Sequence, residues 1–316
     1  MKVTFLGTGA GIPAKLRNVS SLALHLMNKE NTIWLFDCGE ATQHQILHTP
    51  IKLRKMEKIF ISHLHGDHIY GLPGLLGSRS FQGADTPLTI YGPKGIASFI
   101  ETSLNVSGTY LKYPLHIIEI TGDRLLFDND HYVVTTSKLD HALPCFGFRI
   151  EQKDLPGRLL MEKVNEANIP TGPVLQKLKK GMEVTLPDGR KVDGKSFIGS
   201  PKQGKIVTIL GDTRFSEKAI TLAKDANTVI HEATFAEDES LLAKEFFHST
   251  TRQAAEVAKR SGAHQLILNH ISSRYQEEDV EQLLKEARSV FTNTFISADF
   301  STFDIPKVNR PYQSNA

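Results

Sequence analysis

Four side chains of metal-binding type fall within six residues, in the run HLHGDH that begins at His63. The run directly follows the apolar segment KIFIS, which predicts that a buried strand leads into it. In extended backbone His63 and His65 point to the same side, so both imidazoles can reach one metal ion. Gly66 permits a sharp turn, after which Asp67 and His68 can face a second ion. Imidazole and carboxylate ligands suit Zn²⁺, with Mn²⁺ or Fe²⁺ as alternatives.

Three further candidate ligands, His141, Asp212 and His270, each follow an apolar segment that is predicted to be a strand. Strand ends are where side chains leave a sheet to line a site. Asp212 is the best candidate to bridge two ions, because a carboxylate has two oxygens. Two zinc ions held roughly 3.5–4 Å apart activate a water and neutralise phosphate oxygens, which predicts a hydrolase. These residues alone leave open whether the substrate is a phosphodiester, a β-lactam, a thioester or another ester.

The composition is that of a globular protein. Of 316 residues, 40% are hydrophobic and 23% are charged. No apolar run approaches the roughly 18 residues of a membrane span, and the N-terminus lacks the pattern of a signal peptide. We therefore expect no membrane partner and a cytoplasmic location. Cys38 and Cys145 indicate no disulfide framework, and we expect both thiols to be reduced and buried.

Short apolar runs alternate with helical segments in two regions of the chain. The first begins with VTFLGTG and the second with KIVTILGDT. In the second region QLILNHI and TFISADFSTFDI are each predicted to be one strand. Two β-rich halves packed face to face, with helices outside, would form an α/β fold of the four-layer αβ/βα sandwich type.

An insertion at 152–204 interrupts this pattern. The predicted organisation is a first half at 1–151, the insertion, a second half at 205–305 and a polar tail at 306–316. Residues 172–205 hold eight Lys or Arg against three Asp or Glu. Such a segment is a candidate phosphate-contacting surface, although a solvated lysine-rich loop has the same composition.

The motifs resemble those of the metallo-β-lactamase superfamily, and the finer pattern is similar to the bacterial short-form ribonuclease Z family. The matching stretches, which extend to about residue 303, are FLGTGAGIPAKLRNVSS, LFDCGEATQHQ, HLHGDH with GLPGLLGSR, LGDTR, HEATF, HSTTRQAAEVAK and LNHISSRY. The resemblance implies a zinc phosphodiesterase that removes the 3′ trailer from tRNA precursors by in-line attack of a metal-activated hydroxide. It also implies a 3′-hydroxyl on the tRNA, a 5′-phosphate on the trailer, a homodimer and no nucleotide cofactor.

The resemblance assigns roles to individual residues. The first zinc would be bound by His63, His65, His141 and Asp212. The second would be bound by Asp67, His68, Asp212 and His270. Asp67 would accept a proton from the attacking water, His248 would protonate the leaving 3′ oxygen, and Glu232 would orient that imidazole.

Two segments are implied to bind the tRNA. One is a PxKxRN loop that begins at Pro13 and contains Lys15, Arg17 and Asn18. The other is the tip of a flexible arm in the insertion, with Gly172, Pro173, Lys177, Lys179 and Lys180. Lysine and arginine suit backbone phosphates. Because double-stranded RNA is recognised mainly by shape, a basic clamp needs no base code.

Two other functions remain as alternatives. A small-molecule phosphodiesterase or an arylsulfatase-like enzyme on the same fold would share the metal site, but would have no use for the basic arm. A non-catalytic RNA-binding protein with a structural metal site would typically have a closed site rich in cysteine. The ligand set here contains no cysteine, which favours a catalytic centre.

Overall fold

The chain divides into two units in the computed structural model, which describes residues 1–308. Unit 1 comprises 1–128, 134–150 and 205–308, and unit 2 comprises 129–133 and 151–204. Positions 309–316, which belong to the predicted polar tail, lie outside the described residues. No helix in the described part of the chain has the length and apolar character needed to cross a membrane.

Strands and helices alternate along most of the described chain. The strands are β1 Lys2–Gly7, β2 Gly9–Ala10, β3 Ser21–His25, β4 Ile33–Phe36, β5 Met56–Phe60, β6 Leu88–Pro93, β7 Leu115–Ile120, β8 Arg124–Asp128, β9 Tyr132–Lys138, β10 Phe146–Gln152, β11 Glu183–Thr185, β12 Lys191–Asp193, β13 Ile206–Ile209, β14 Thr228–Glu232, β15 Leu266–Asn269, β16 Ile271–Ser272, β17 Thr294–Ile296 and β18 Thr302–Asp304. The helices are α1 Thr42–Leu47, α2 Gly66–Ile69, α3 Leu72–Phe81, α4 Ile96–Val106, α5 Met161–Glu166, α6 Pro173–Lys179, α7 Glu217–Leu222, α8 Ser240–Glu245, α9 Thr251–Arg260 and α10 Val280–Arg288.

Two seven-stranded sheets organise unit 1. The first has the order β18-β1-β3-β4-β5-β6-β7, and the second has the order β17-β15-β14-β13-β10-β9-β8. Strands β4 to β7 are mutually parallel, and so are β13, β14, β15 and β17. Parallel strands end at one edge of their sheet, so the loops after them can build a common site.

The sheets pack face to face, with helices on their outer sides. Between the sheets, the ring of Phe60 from β5 lies 4.8 Å from Phe36 and 5.3 Å from Phe148 of β10. On the outer face of the first sheet, apolar residues of α3 and α4 pack against β4, β5 and β6. On the other outer face, α7, α9 and α10 pack against the second sheet. This arrangement confirms the predicted four-layer αβ/βα sandwich.

The prediction of one final strand in TFISADFSTFDI is wrong. The segment forms β17 in the second sheet and β18 in the first, where β18 pairs with β1. A turn separates them, in which Ser301 N–H donates to the carbonyl of Ala298 at 3.0 Å and Phe300 has φ +65°. A positive φ for a residue other than glycine breaks an extended run.

The predicted strand QLILNHI is also interrupted. It is divided into β15 and β16 by His270, which has φ +58°. The left-handed conformation redirects the backbone at this one position.

Unit 2 has a small core of its own. Helices α5 and α6 and the hairpin β11–β12 surround five buried side chains, namely Val164, Ile169, Leu178, Val184 and Leu186. In unit 1, Cys38 and Cys145 are free and buried, as the sequence predicts.

Candidate metal centre

The HLHGDH run lies in the loop that follows β5 of the first sheet and leads into the short helix α2. Strand β5 ends two residues before Ser62, and His63 is buried. His65 precedes the short helix α2, which holds Asp67 and His68. A Cβ at position 66 would lie 2.1 Å from the ring of Tyr70, so any larger residue there would displace that exposed side chain.

The three later candidates converge on this run from both sheets. His141 follows β9, Asp212 follows β13, and His270 separates β15 from β16. Four groups of three ligand-type residues form, each with its donor atoms within 4.8 Å of one another. They are His63 with His65 and His141, His63 with His68 and Asp212, Asp67 with His68 and His270, and Asp212 with His248 and His270.

Two clusters of inward-facing donor atoms result. In one, His65 Nδ1 lies 2.9 Å from His63 Nε2 and 3.2 Å from His141 Nε2. In the other, His68 Nε2 lies 3.2 Å from His270 Nε2. Asp67 Oδ2 lies 3.4 Å from each of these two nitrogens.

Asp212 stands between the clusters. Its Oδ2 lies 3.6 Å from His63 Nε2, 3.5 Å from His68 Nε2 and 3.4 Å from His270 Nε2. A single carboxylate therefore faces both sets of imidazoles.

These distances fit a divalent metal ion. Ligand atoms at zinc–ligand distances of about 2.0–2.2 Å in tetrahedral geometry are separated from one another by roughly 3.3–3.6 Å. In the cluster around His68 and His270, the four separations that involve a carboxylate oxygen are 3.4 or 3.5 Å and lie in this range, and the nitrogen–nitrogen separation of 3.2 Å is slightly shorter. In the other cluster His63 and Asp212 are 3.6 Å apart, whereas the two separations between imidazole nitrogens, 2.9 and 3.2 Å, are shorter. His65 Nδ1 faces two imidazole nitrogens, His63 Nε2 and His141 Nε2, and can form a hydrogen bond with only one of them at a time, whereas a single cation could bind all three.

Asp37 fixes the ring orientation of two of these imidazoles. Its Oδ2 accepts a hydrogen bond from His68 Nδ1 at 2.9 Å and another from Ser62 Oγ at 2.9 Å. Ser62 Oγ in turn lies 3.0 Å from His63 Nδ1 and accepts its hydrogen. Such outer hydrogen bonds set the tautomer and leave Nε2 free to bind a metal.

Glu232 has the equivalent role on the other side. Its Oε1 accepts from His248 Nδ1 at 3.1 Å, and its Oε2 accepts from Thr234 Oγ1 at 2.7 Å. Thr234 Oγ1 lies 3.0 Å from His270 Nδ1. His141 Nδ1 donates to the carbonyl of Phe247 at 2.9 Å.

Sequence reasoning assigned no role to Asp37, Ser62 or Thr234. Asp37 stands directly after β4, in the same type of position as the predicted ligand Asp212. That position is the one signal that could have identified it. The two hydroxyls are too common a residue type to stand out in a sequence.

The carboxylates of the centre are held in their ionised form. Burial alone would raise the pKa of Asp212, but the charges of His270 and His68 outweigh it and hold that pKa well below its usual range. Burial would also raise the pKa of Asp67, but the charge of His68 outweighs that effect, so this pKa is lowered as well. Burial disfavours the charged form of His248, yet Glu232 raises the pKa of that imidazole to about 9. The centre is therefore rich in ionised carboxylate, as a cation site requires.

The predicted substrate loop lies beside the centre, and its polar groups differ in their roles. Arg17 donates from one guanidinium nitrogen to Thr8 Oγ1 at 2.8 Å and to the carbonyl of Ser297 at 2.7 Å. Asn18 donates through Nδ2 to the carbonyl of Glu40 at 2.8 Å. These contacts hold the loop in place, whereas Lys15 is exposed.

The backbone just before this loop contacts the centre directly. Gly11 N–H donates to Asp67 Oδ2 at 2.8 Å. This contact helps to orient the carboxylate that the sequence predicts to be the proton acceptor.

The predicted arm residues lie in unit 2. Gly172 has φ +136°, a conformation that glycine adopts readily, and Pro173 begins α6. All five predicted contact residues are exposed, namely Gly172, Pro173, Lys177, Lys179 and Lys180.

The centre opens into a pocket of about 700 Å³. Asp67, Asp212, His248 and His270 line it, together with exposed apolar side chains at its rim. A wide pocket of this kind admits a polymer segment as well as a small ester.

Comparison with known proteins identifies the family. A family model described as Anti-Pycsar protein Apyc1 matches residues 1–135. Ribonuclease Z of Geobacillus kaustophilus is 59% identical over 307 residues, which cover 97% of this chain and 100% of that protein. Ribonuclease Z of Limosilactobacillus fermentum is 57% identical over 306 residues, with 97% and 99% of the two chains covered.

Solved structures agree with these relatives. The short form of human tRNase Z is 30% identical with a TM-score of 0.71, and the match covers 97% of this chain and 100% of that one. The metallo-beta-lactamase fold protein YhfI from Bacillus subtilis, at 21% identity and a TM-score of 0.65, shares the fold over 96% of this chain and 98% of its own. The chain therefore belongs to the ribonuclease Z family, on the metallo-β-lactamase fold.

Proposed function

We propose that the protein is a metal-dependent endoribonuclease that removes the 3′ trailer from tRNA precursors, leaving a 3′-hydroxyl on the tRNA and a 5′-phosphate on the trailer. The observation that carries the proposal is that seven ligand-type side chains converge beside one open pocket. The partly exposed imidazole of His248 lines the same pocket and is hydrogen-bonded to the buried carboxylate of Glu232. High identity to ribonuclease Z proteins over nearly the whole chain supports it.

We propose that the centre holds two Zn²⁺ ions, with Mn²⁺ as an alternative. His63, His65, His141 and Asp212 would bind one ion, and Asp67, His68, Asp212 and His270 would bind the other. When bound, such a pair lowers the pKa of a water and neutralises charge on the reacting phosphate.

Two residues of the protein would then carry out the two proton transfers, one from the attacking water and one to the leaving oxygen. Asp67 is oriented by Gly11 N–H and is held ionised, so it can accept a proton from the attacking water. His248 is oriented by Glu232 through Nδ1, so its proton for the leaving 3′ oxygen is carried on Nε2. A 3′-alkoxide is a poor leaving group, and protonation by a positioned acid assists its departure.

The insertion at 152–204 is proposed to bind the tRNA body as an arm, outside a catalytic domain formed by 1–151 and 205–305. The exposed lysines of and beside α6 suit contacts to phosphates. We also propose that the protein is a homodimer. We further propose that it is located in the cytoplasm, where it would encounter precursor tRNA.

Removal of the shared ligand should affect both metal ions. Asp212→Ala and Asp212→Asn are expected to lower the metal content of both sites, because Oδ2 faces both clusters. Elemental analysis of purified protein measures this, with Asp123→Ala, which removes an exposed ion pair with Lys218, as the control. A variant that lost one ion and kept the other at full occupancy would exclude bridging, and one ion per active wild-type chain would exclude a dinuclear centre.

Asp37→Asn should weaken metal binding without removing a ligand. Asp37 Oδ1 accepts from Ser62 N–H, and Oδ2 accepts from both Ser62 Oγ and His68 Nδ1. Because an amide nitrogen cannot accept a hydrogen bond, asparagine must lose the bonds at one of these two atoms, and with them part of the restraint on Ser62 or His68. Loss of such an outer partner typically costs about 10- to 100-fold in metal affinity. Competition with a chromophoric chelator measures the affinity, and Asp188→Asn in unit 2 serves as the control. Unchanged affinity would mean that Asp37 has no part in holding the imidazoles.

Replacing Lys177, Lys179 and Lys180 together by alanine should separate tRNA binding from chemistry. Precursor binding is expected to weaken, and the slope of log K against log salt to fall by about one for each lysine that contacts a phosphate. Hydrolysis of bis(p-nitrophenyl) phosphate should be unchanged, because the pocket is intact.

The matched control for this variant replaces three exposed lysines of unit 1, Lys52, Lys55 and Lys94. Equal losses with the control triple would indicate a general effect of charge. Equal losses on tRNA and on the small diester would assign the arm to stability rather than to binding.

His248→Ala should slow cleavage of a tRNA precursor by about 10²- to 10⁴-fold, the usual contribution of a general acid. The p-nitrophenolate ion leaves without a proton, so the activated diester should be affected much less. Glu232→Gln should give a milder form of the same pattern, because that residue only orients the imidazole. Rates on both substrates and metal content are measured together.

The control for the histidine is His116→Ala, since His116 is exposed on β7. Loss of metal from His248→Ala would identify the residue as a ligand or a support. Equal slowing on both substrates would rule out the leaving-group role.

A further inference from the structure

Two large aromatic side chains are exposed at the rim of the metal pocket. Tyr70 is 65% exposed and Phe246 is 54% exposed, and both line the pocket. They belong to different elements, since Tyr70 follows α2 and Phe246 follows α8. Exposed aromatic faces beside a nucleic-acid site are the usual surfaces on which unpaired bases stack.

The backbone around Phe246 is rigidly held. Phe246 N–H donates to the carbonyl of Leu242 at 2.9 Å, and His248 N–H donates to that of Ala243 at 2.8 Å. Between them Phe247 has φ +60°, a left-handed conformation that is strained for a residue other than glycine.

The surroundings of Phe247 maintain this conformation. Its carbonyl accepts from His141, and the guanidinium of Arg214 lies 4.1 Å from the centre of its ring. Arg214 is itself fixed by two hydrogen bonds of 3.0 Å to the carboxylate of Asp140. The positions of Phe246 and His248 relative to each other are therefore set by the fold. The side chain of Phe246, by contrast, extends from this fixed backbone toward solvent.

The chemistry of the leaving group determines which nucleotide lies here. This step rests on the proposed function, in which His248 protonates the 3′ oxygen of the last nucleotide that the tRNA keeps. The ribose carrying that oxygen must lie within hydrogen-bond reach of the imidazole. The base of the same nucleotide is attached to that ribose, and Phe246 lines the same pocket two residues away.

We propose that Phe246 is the stacking platform for the base immediately 5′ of the cleaved bond. Stacking accepts any base, because every base has a π-face, and it favours the larger purines. The platform therefore fixes the distance of the scissile phosphate from the metal centre without selecting a particular base. Cleavage should be fastest with a purine at this position, slower with a pyrimidine and slowest with an abasic nucleotide.

Single-turnover cleavage of two precursors tests the proposal, one with a purine and one with an abasic nucleotide at this position. Wild-type protein should cleave the abasic precursor about 5- to 150-fold more slowly, the range found when one base–aromatic stack is removed. Phe246→Ala should show a similar loss on the purine precursor and little or no further loss on the abasic one. Phe246→Tyr should retain the wild-type rates, because its ring can still stack.

Two variants act as controls. Leu241→Ala alters a more exposed apolar side chain of α8, 82% exposed and away from the pocket lining, and should leave both rates unchanged. Tyr70→Ala removes the other rim aromatic and should preserve the difference between the purine and abasic precursors.

The outcomes are distinct. If Phe246→Ala lowers both rates by the same factor, the side chain supports the site and does not stack on this base, which overturns the proposal. If Tyr70→Ala abolishes the purine dependence instead, the base lies on the opposite rim, and the assignment to Phe246 is wrong. If wild-type protein cleaves neither precursor while holding its full complement of metal, the proposed function fails and this inference fails with it.

Discussion

Two carboxylates, Asp37 and Glu232, hold the imidazoles of the candidate metal centre from opposite sides. Asp37 follows a strand of the first sheet and Glu232 ends a strand of the second. Each accepts a hydrogen bond from one imidazole directly and reaches a second through a hydroxyl, on Ser62 or on Thr234. An imidazole held at Nδ1 has one tautomer and one ring orientation. Because the two carboxylates come from different sheets, the ligand geometry exists only when the sheets are packed together.

The positions of the candidate ligands could be located from the sequence because they are marked by local patterns. His63 follows a short apolar strand, and metal-binding side chains are concentrated in the residues after it. Asp212 follows another apolar strand at a Gly-Asp turn. In a sheet of parallel strands the ends of such strands meet at one edge, so residue type and strand periodicity together locate the site. The layered architecture followed from the same alternation of strands and helices.

The features that the sequence did not predict, namely the strand interruptions and the role of Arg17, depend on contacts between segments that are distant in sequence. Local residue patterns contain no information on such contacts. Apolar periodicity continues through His270 and through the final segment, but positive φ values at His270 and Phe300 interrupt both strands. Arg17 is of a residue type that suits phosphate, yet its guanidinium is bound to Thr8 and to the backbone of Ser297, far away in sequence. A charged side chain in a loop can bind RNA or can stabilise the loop through internal hydrogen bonds, and these two roles are distinguished only by the three-dimensional structure.

The pairing of β1 with β18 has a consequence for biosynthesis. Lys2 pairs with Asp304, so the first strand to be synthesised lies beside one of the last. Contacts of such high sequence separation form slowly, and at about 5–20 residues per second the ribosome needs roughly 15–60 s to complete a chain of this length. During that interval the edge of the first sheet has exposed backbone groups that can pair with another chain. A nascent chain would therefore be most vulnerable to misassociation after most of the domain has been made but before β18 is available, when β1 is paired with β3 on one side and has an open edge on the other.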